Sequence, residues 1–329
     1  MSRLRVEAAS PGQRLIMARA MWRPLRRILI TVPVIWLVVT VVFLLIHIVP
    51  GDPIVQMLGE GATASDVSAL RHAYGLDDPL GDQYLRYWRG IVHGDLGQSL
   101  RLHDSVIHLV AQRYPYTLAL TAAALALGMA AAFPAGVWSA LRRSEWQDRT
   151  LGVLSLAGLS FPNFALGPIL ILLFSIRLGW LPVSGAGAGG AGEFLVHLVL
   201  PALTLALGLA AILTRMVRAA MLEELSQDYI RTARAKGLSE RTVVYRHALR
   251  NALIPVLTVI GLQFGSLLAG AIVTETIFSW PGIGRLTLSA ISNRDYALVQ
   301  GCILAVGLTY VAVNLLTDVA YTVANPRMR

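Results

Sequence analysis

The chain has 329 residues, of which 55% are apolar and only 14% are charged. Soluble domains carry roughly 25% charged residues, so this composition argues against a large soluble enzyme. The formal net charge is +9, but no basic stripe interleaved with aromatic residues accompanies it, and nucleic-acid binding is therefore disfavoured.

Six long intervals of the sequence contain no Asp, Glu, Lys or Arg. Each is at least 21 residues long, and about 20 apolar residues cross a bilayer core as a helix. We therefore expect an all-α polytopic membrane protein with six transmembrane helices. The intervals are residues 28–51, 114–141, 150–176, 194–214, 251–274 and 296–317.

The basic residues indicate which loops face the cytoplasm. With the N-terminus inside, the cytoplasmic segments hold 20 Lys and Arg residues and the external segments hold eight. Because Lys and Arg accumulate in cytoplasmic loops, both termini are expected inside. The Arg clusters beside the spans are also attracted to anionic lipid headgroups.

The predicted spans divide the chain into four parts. The run after the first span lacks a small-residue cleavage site, so this span is expected to be retained. The later spans are rich in small residues that let helices approach closely, with Gly261 and Gly265 as a G-x-x-x-G pair. The parts are a basic cytoplasmic leader at 1–27, the first transmembrane helix at 28–48, an external segment at 49–113, and a five-helix core at 114–329.

Few polar residues fall within the spans. Glu275, Arg177 and Asp318 lie close to span ends, where a long side chain reaches the headgroup region, and this disfavours an ion-coupled carrier. Pro162 interrupts the third span and predicts a kink, because proline removes a backbone hydrogen bond. A role in lining a translocation path is the alternative for the polar residues Ser160, Asn163 and Gln263.

The longest cytoplasmic loop, residues 215–250, has the pattern of a helix-turn-helix. Residues 227–236 favour a helix, Gly237 is placed as its C-cap, and Ser239 can cap a second helix that starts near Glu240. Eight basic and four acidic residues in this loop suit a protein-docking surface. A solvated linker with well-formed caps is the alternative interpretation.

The sequence carries no signature of catalysis. A phosphate-binding Walker A loop needs a Gly-Lys pair, whereas the single lysine, Lys236, follows Ala235. The seven histidines lack metal-ligand spacing, and no G-x-S-x-G nucleophile motif is present. We therefore expect no catalytic, cofactor or metal residues, and any ATP-driven work must belong to another polypeptide. The single cysteine, Cys302, excludes an intrachain disulfide.

Asp228–Ser239, Arg246–Pro255 and five further short runs resemble the permeases of bacterial ABC importers, and more narrowly the B-type permeases of the dipeptide, oligopeptide and nickel group. Asp228–Ser239 with Arg246–Pro255 resembles the EAA loop of that family, although Arg231 and Arg250 stand where the general pattern has an acid and a proline. The other runs, in order and on the predicted sides of the membrane, are PGDP at 50–53, YGLD at 74–77, GDLGQS at 94–99, LGWLPVSG at 178–185 and ETIFSWPGIG at 275–284.

The resemblance implies the type I ABC importer architecture, in the bacterial cytoplasmic (inner) membrane. It implies a heterodimer with a related permease, two ATPase subunits that bind ATP and Mg, and an extracytoplasmic solute-binding protein. Di- or oligopeptides are the expected substrates, with nickel chelates or glutathione as alternatives within the family. From other classes, an ion-coupled secondary transporter and a receptor or scaffold subunit remain open.

The resemblance further implies that the 231–240 region couples this chain to an ATPase. Polar docking contacts are expected from Arg234, Lys236 and Glu240. Close packing is expected from Ala233, Ala235 and Leu238. The complete predicted coupling loop is Arg231, Thr232, Ala233, Arg234, Ala235, Lys236, Gly237, Leu238, Ser239 and Glu240.

Overall fold

The computed structural model describes residues 31–45, 47, 54–55, 63–73, 75–99 and 101–324, so the predicted leader at 1–27 lies outside the described residues. The described chain is mostly helical, as expected, with one short antiparallel strand pair. The N-terminal elements are α1 (Thr31–Leu45), α2 (Ala64–Ala73), α3 (Leu80–His93), β1 (Gln98–Ser99) and β2 (Asp104–Ser105).

The core elements follow without further strands among the described residues. Helix α6 continues directly into a π-helical segment, Ile171–Arg177, and α9 contains a π-helical segment, Val243–Ala248. The core helices are α4 (Val106–Leu141), α5 (Trp146–Ser160), α6 (Asn163–Leu170), α7 (Ala191–Leu225), α8 (Asp228–Ala235), α9 (Glu240–Ile277), α10 (Ile283–Ser292) and α11 (Tyr296–Ala324).

Helices α4, α7, α9 and α11 are each long and apolar enough to cross a membrane. The bent pair of α5 and α6 makes a fifth candidate span when its two helices are counted together. Helix α1 is apolar but shorter, and covers most of the first predicted span. The described residues thus give four or five candidate spans, and a total of six stays a prediction.

The third predicted span is broken rather than kinked. Its two halves meet at 106°, around Phe161 and Pro162, which both have extended backbone angles. A residue that precedes proline is pushed out of the α region, and proline itself offers no N–H to continue the ladder. Two consecutive extended residues therefore turn the chain much further than the expected kink.

The predicted loops contain more helix than the charge pattern indicated. Helix α4 begins at Val106, within the predicted external segment, and α7 continues to Leu225, so most of the 215–250 loop is helical. Helix α10 likewise occupies the loop between the last two spans. A charge-free interval marks the lipid-buried part of a helix, but backbone hydrogen bonding continues into the polar region beyond it.

Close helix packing in the core follows the small residues. A methyl group placed on Gly261 would overlap the side chain of Thr317, and one on Gly265 would overlap Tyr310. Both neighbours belong to α11, so the G-x-x-x-G pair of α9 lets these two helices approach closely. Cys302 of α11 is fully buried.

Candidate functional site

Helix α8 is fixed to the core by one apolar face. Ile230 and Ala233 lie three residues apart, which places them on the same face of the helix. They are 0% and 7% exposed, and they join the hydrophobic cluster that contains Met221 of α7 and Val243 of α9. The rest of α8 is exposed. This short helix therefore packs against the core through its apolar face and presents a polar face to solvent.

The end of α8 has the predicted glycine cap. Gly237 has a φ of +75°. Its N–H donates to the Arg234 carbonyl at 2.9 Å, and the Leu238 N–H donates to the Ala233 carbonyl at 3.3 Å. This pair of bonds is a Schellman motif, which favours glycine at the left-handed position. Ser239 occupies the predicted position before the first residue of α9, but its hydroxyl pairs with the Thr242 hydroxyl at 2.9 Å and makes no hydrogen bond to the helix backbone.

A bidentate ion pair closes the turn between α8 and α9. Arg234 Nη2 lies 2.6 Å from Glu240 Oε1, and Arg234 Nε lies 3.1 Å from Glu240 Oε2. The Glu240 carboxylate raises the pKa of Arg234 above its ordinary value. Both residues were expected to be docking contacts, and here they bind each other. The turn therefore presents a fixed pair of opposite charges, with the Lys236 cation exposed beside it.

Nearly the whole predicted coupling loop faces solvent. Ala233 is the member that the surface does not present, because it packs inside the chain. The apolar side chain of Leu238 is 41% exposed in this otherwise polar surface. We define the coupling surface as the exposed members, Arg231, Thr232, Arg234, Ala235, Lys236, Gly237, Leu238, Ser239 and Glu240.

Tyr229 connects the coupling surface to two long helices. Its hydroxyl donates to the Glu224 carboxylate near the end of α7. The same hydroxyl accepts a hydrogen bond from Asn251 Nδ2 of α9 at 3.0 Å. Tyr229 therefore ties α8 to both α7 and α9. This contact of Tyr229 was not predicted from the sequence, although Tyr229 lies only two residues before the predicted loop.

A buried carboxylate joins three helices at the same end of the core. Arg218 of α7 holds Asp148 of α5 with two bonds, Nε to Oδ1 at 2.6 Å and Nη2 to Oδ2 at 2.7 Å. Ser139 Oγ of α4 adds a bond of 2.5 Å, and the Ser144 N–H adds one of 2.9 Å. The Asp148 side chain is 8% exposed. The sequence signal was limited to two acids, Glu145 and Asp148, among the arginines of a short loop that was predicted to be cytoplasmic.

At the opposite end of the core, Glu275 is fully buried, and the expectation that it reaches the headgroup region is wrong. Its carboxylate accepts hydrogen bonds from the Thr117 hydroxyl and from the Arg285 N–H, at 2.6 and 2.9 Å. Trp280, also fully buried, donates from Nε1 to the Tyr116 carbonyl at 3.0 Å. Hydrogen-bond donors inside the chain take the place of water around this carboxylate. Glu275 can therefore lie away from the membrane surface.

The residues considered for a translocation path lie on three helices. Ser160 ends α5, is exposed, and donates to the Leu156 carbonyl at 2.9 Å. Asn163 begins α6, and its side chain lies outside the described part of the chain. Gln263 is half-buried in α9. Among the described residues, no group of three or more His, Cys, Asp or Glu side chains is placed to hold a metal ion.

Comparison with protein families gives two matches that together cover most of the chain. Residues 132–329 match the binding-protein-dependent transport system inner membrane component. Residues 21–121 match the N-terminal part of the binding-protein-dependent transport system membrane component.

Two relatives and one solved structure are also similar to this chain. The glutathione transport system permease protein GsiC of Escherichia coli O6:H1 (strain CFT073) is 43% identical over 305 residues, which cover 93% of this chain and 98% of that protein. The di/tripeptide transport system permease protein DppB of Pseudomonas aeruginosa (strain UCBPP-PA14) is 46% identical over 327 residues, with 92% and 97% covered. An inward-facing structure of the MetNI methionine ABC transporter shares the fold, with a TM-score of 0.55, 19% identity, and coverage of 66% of this chain and 96% of that chain.

Proposed function

The chain belongs to the family of binding-protein-dependent transport system inner membrane components, and we propose that it is the permease subunit of an ATP-driven importer of short peptides. The observation that carries this proposal is similarity along nearly the whole chain to permeases of a di/tripeptide system and a glutathione system. Glutathione is itself a tripeptide, so short peptides are the substrate class that both relatives share. Glutathione import is therefore the second candidate function.

We propose six spans with both termini in the cytoplasm. Helix α1 belongs to the first span at residues 28–48, and the bent pair of α5 and α6 forms the third span. The excess of Lys and Arg on one side supports this orientation. Helices α2 and α3 and the strand pair then lie outside, where a solute-binding protein would deliver substrate.

The coupling surface is the proposed docking site for an ATPase subunit. A short helix with a buried apolar face and a fixed polar tip fits a cleft in a partner protein and transmits its movement rigidly. The ATPase supplies the chemistry of ATP hydrolysis with Mg, while this chain binds the ATPase and changes conformation. We expect two ATPases, since a related second permease would present a coupling surface of its own.

The proposal is tested by the composition of the complex in the membrane. The tagged chain is extracted gently, and the proteins that stay bound are identified by mass spectrometry. We expect a second permease and ATPases with Walker A loops. Lys236→Glu combined with Leu238→Ala should release the ATPases and keep the second permease, because only the coupling surface is changed. Arg143→Glu is the matched control, since it reverses an exposed charge on the same side of the membrane.

Reconstituted vesicles provide the functional measurement. Uptake of a labelled dipeptide should require ATP, the ATPases and the binding protein. A chain that purifies alone and still moves solute without ATP would contradict the proposal and favour ion-coupled transport. Uptake of labelled glutathione in preference to dipeptides would assign the second candidate function.

A further inference from the structure

The Asp148 carboxylate fastens the first turn of α5 to the rest of the core. Its donors come from α4, from the turn between α4 and α5, and from α7. Ser144, which donates from its N–H, has a φ of +67°, an unusual backbone angle for a residue other than glycine. One carboxylate therefore fixes both the shape of this turn and the position of α5 against α7.

Apolar side chains attach α5 to the rest of the core only weakly in comparison. Its side chains Val153, Leu154 and Leu156 are 65%, 60% and 55% exposed. A methyl group placed on Gly158 would lie 3.2 Å from the Ala211 Cβ, so α5 touches α7 through small residues there. Such a contact allows sliding, whereas a guanidinium fork on a carboxylate fixes both distance and direction. The ion pair thus controls how α5 sits on α7.

The other end of this connection is the coupling surface. Arg218 lies about two helical turns before Leu225, where α7 ends. Ile230 of α8 packs into the cluster that holds Met221, and Tyr229 binds Glu224. The last turns of α7 and the whole of α8 therefore form one packed unit that includes Arg218.

We infer that Asp148 and Arg218 are positioning residues that make α5, the first half of the broken third span, move with the coupling surface. This inference rests on the proposed function. When an ATPase displaces α8, the end of α7 moves with it, and Arg218 carries the start of α5. Because α5 ends at the break around Phe161 and Pro162, it can reorient without dragging α6 along as one rigid rod.

The test separates transport from ATP hydrolysis in the reconstituted complex. Arg218→Gln and Asp148→Asn should each lower the number of peptides imported per ATP by about tenfold, within the range that coupling residues reach in other proteins. The double variant decides between roles, because the Asp148 carboxylate is buried while Arg218 is partly exposed, and removing both partners avoids leaving a buried charge unpaired. A coupling role predicts that the double variant regains stability while the number of peptides imported per ATP stays as low as in the single variants.

A purely structural role predicts the opposite result, in which the double variant regains stability and import together. That outcome would overturn the inference. Glu145→Gln is the matched control, because it breaks an exposed ion pair with Arg142, 3.2 Å long, in the same turn. We expect its peptides imported per ATP to equal those of the unmodified complex.

A distance measurement tests the inference without any transported solute. Spin labels are placed on α5 at Val153→Cys and on α6 at Ile169→Cys, two exposed positions on either side of the break. Trapping the ATPases in their closed state should change this distance in the otherwise unmodified complex and leave it unchanged with Arg218→Gln. An equal change in both complexes would overturn the inference. A complex that fails to import peptide yet shows the Arg218-dependent change would instead contradict the proposed substrate alone.

Discussion

The Thr117 hydroxyl donates a 2.6 Å hydrogen bond to Glu275 Oε1, across 158 positions of the chain. The same hydroxyl accepts a bond from the Ile283 N–H at 2.8 Å, while Glu275 Oε2 accepts the Arg285 N–H at 2.9 Å. Glu275 on α9 therefore caps the N-terminus of the separate helix α10, where a negative charge is favoured. The arrangement ties α4, α9 and α10 together at one end of the core.

Replacing Glu275 should destabilise the chain without changing the coupling surface. Glu275→Ala leaves the Thr117 hydroxyl and the Arg285 N–H without their acceptor, at a cost of about 1–3 kcal/mol. Glu275→Gln keeps one acceptor oxygen and should cost less. Thermal unfolding in detergent measures the order, with the exposed Glu145→Gln as control. Equal midpoints for Glu275→Ala and the control would contradict the capping role.

Gly282 is required because the Glu275 carboxylate occupies the space that a larger side chain at position 282 would need. A methyl group at Gly282 would overlap the Glu275 carboxylate, whereas one at Gly152 on α5 would meet nothing within 4 Å. Gly282→Ala should therefore destabilise by about 1–3 kcal/mol through overpacking. Gly152→Ala should be neutral or stabilising by up to about 1 kcal/mol, since alanine is the better helix former. The same unfolding assay compares them, and a stabilising Gly282→Ala would contradict the close approach.

Features set by neighbouring residues could be predicted from the sequence. The cap at Gly237 and the helix start after Ser239 depend on a few residues, and the structure has both where they were predicted. The position of the break at Pro162 could also be predicted, because the proline itself sets it, but the angle of the break could not. The angle between the two halves of a span depends on the helices against which each half packs. The sequence of one segment does not contain that information.

Pairings between distant residues could not be predicted. Asp148 and Arg218 are 70 positions apart, and the sequence placed Arg218 among the many basic residues that set the orientation in the membrane. Glu275 was expected to reach the membrane surface because its position in the sequence is near a span end. Only the fold shows that Thr117 and α10 supply it with internal donors.

Gly237 provides a test of the coupling surface with an unusually close control. Gly237→Ala forces a Cβ into a φ of +75°, which costs about 1 kcal/mol and disturbs the last turn of α8. Gly94 caps α3 with a φ of +74° and has equally empty surroundings, so Gly94→Ala carries the same local strain. Gly237→Ala should lower import per ATP while Gly94→Ala leaves it unchanged. Equal losses would show that backbone strain alone, wherever it lies, disturbs transport.

Ile230 and Leu238 should separate anchoring from docking. Ile230 is fully buried beneath α8, so Ile230→Ala should cost about 2–5 kcal/mol. That loss should appear as faster hydrogen exchange across residues 228–235. Leu238 is 41% exposed, and Leu238→Ala should change stability by less than about 0.5 kcal/mol. It should nevertheless weaken retention of the ATPases during purification, because an exposed apolar side chain in a polar surface contributes most when a partner covers it. If Leu238→Ala retains the ATPases fully, the docking contact lies elsewhere on the coupling surface, and Lys236 becomes the residue to change next.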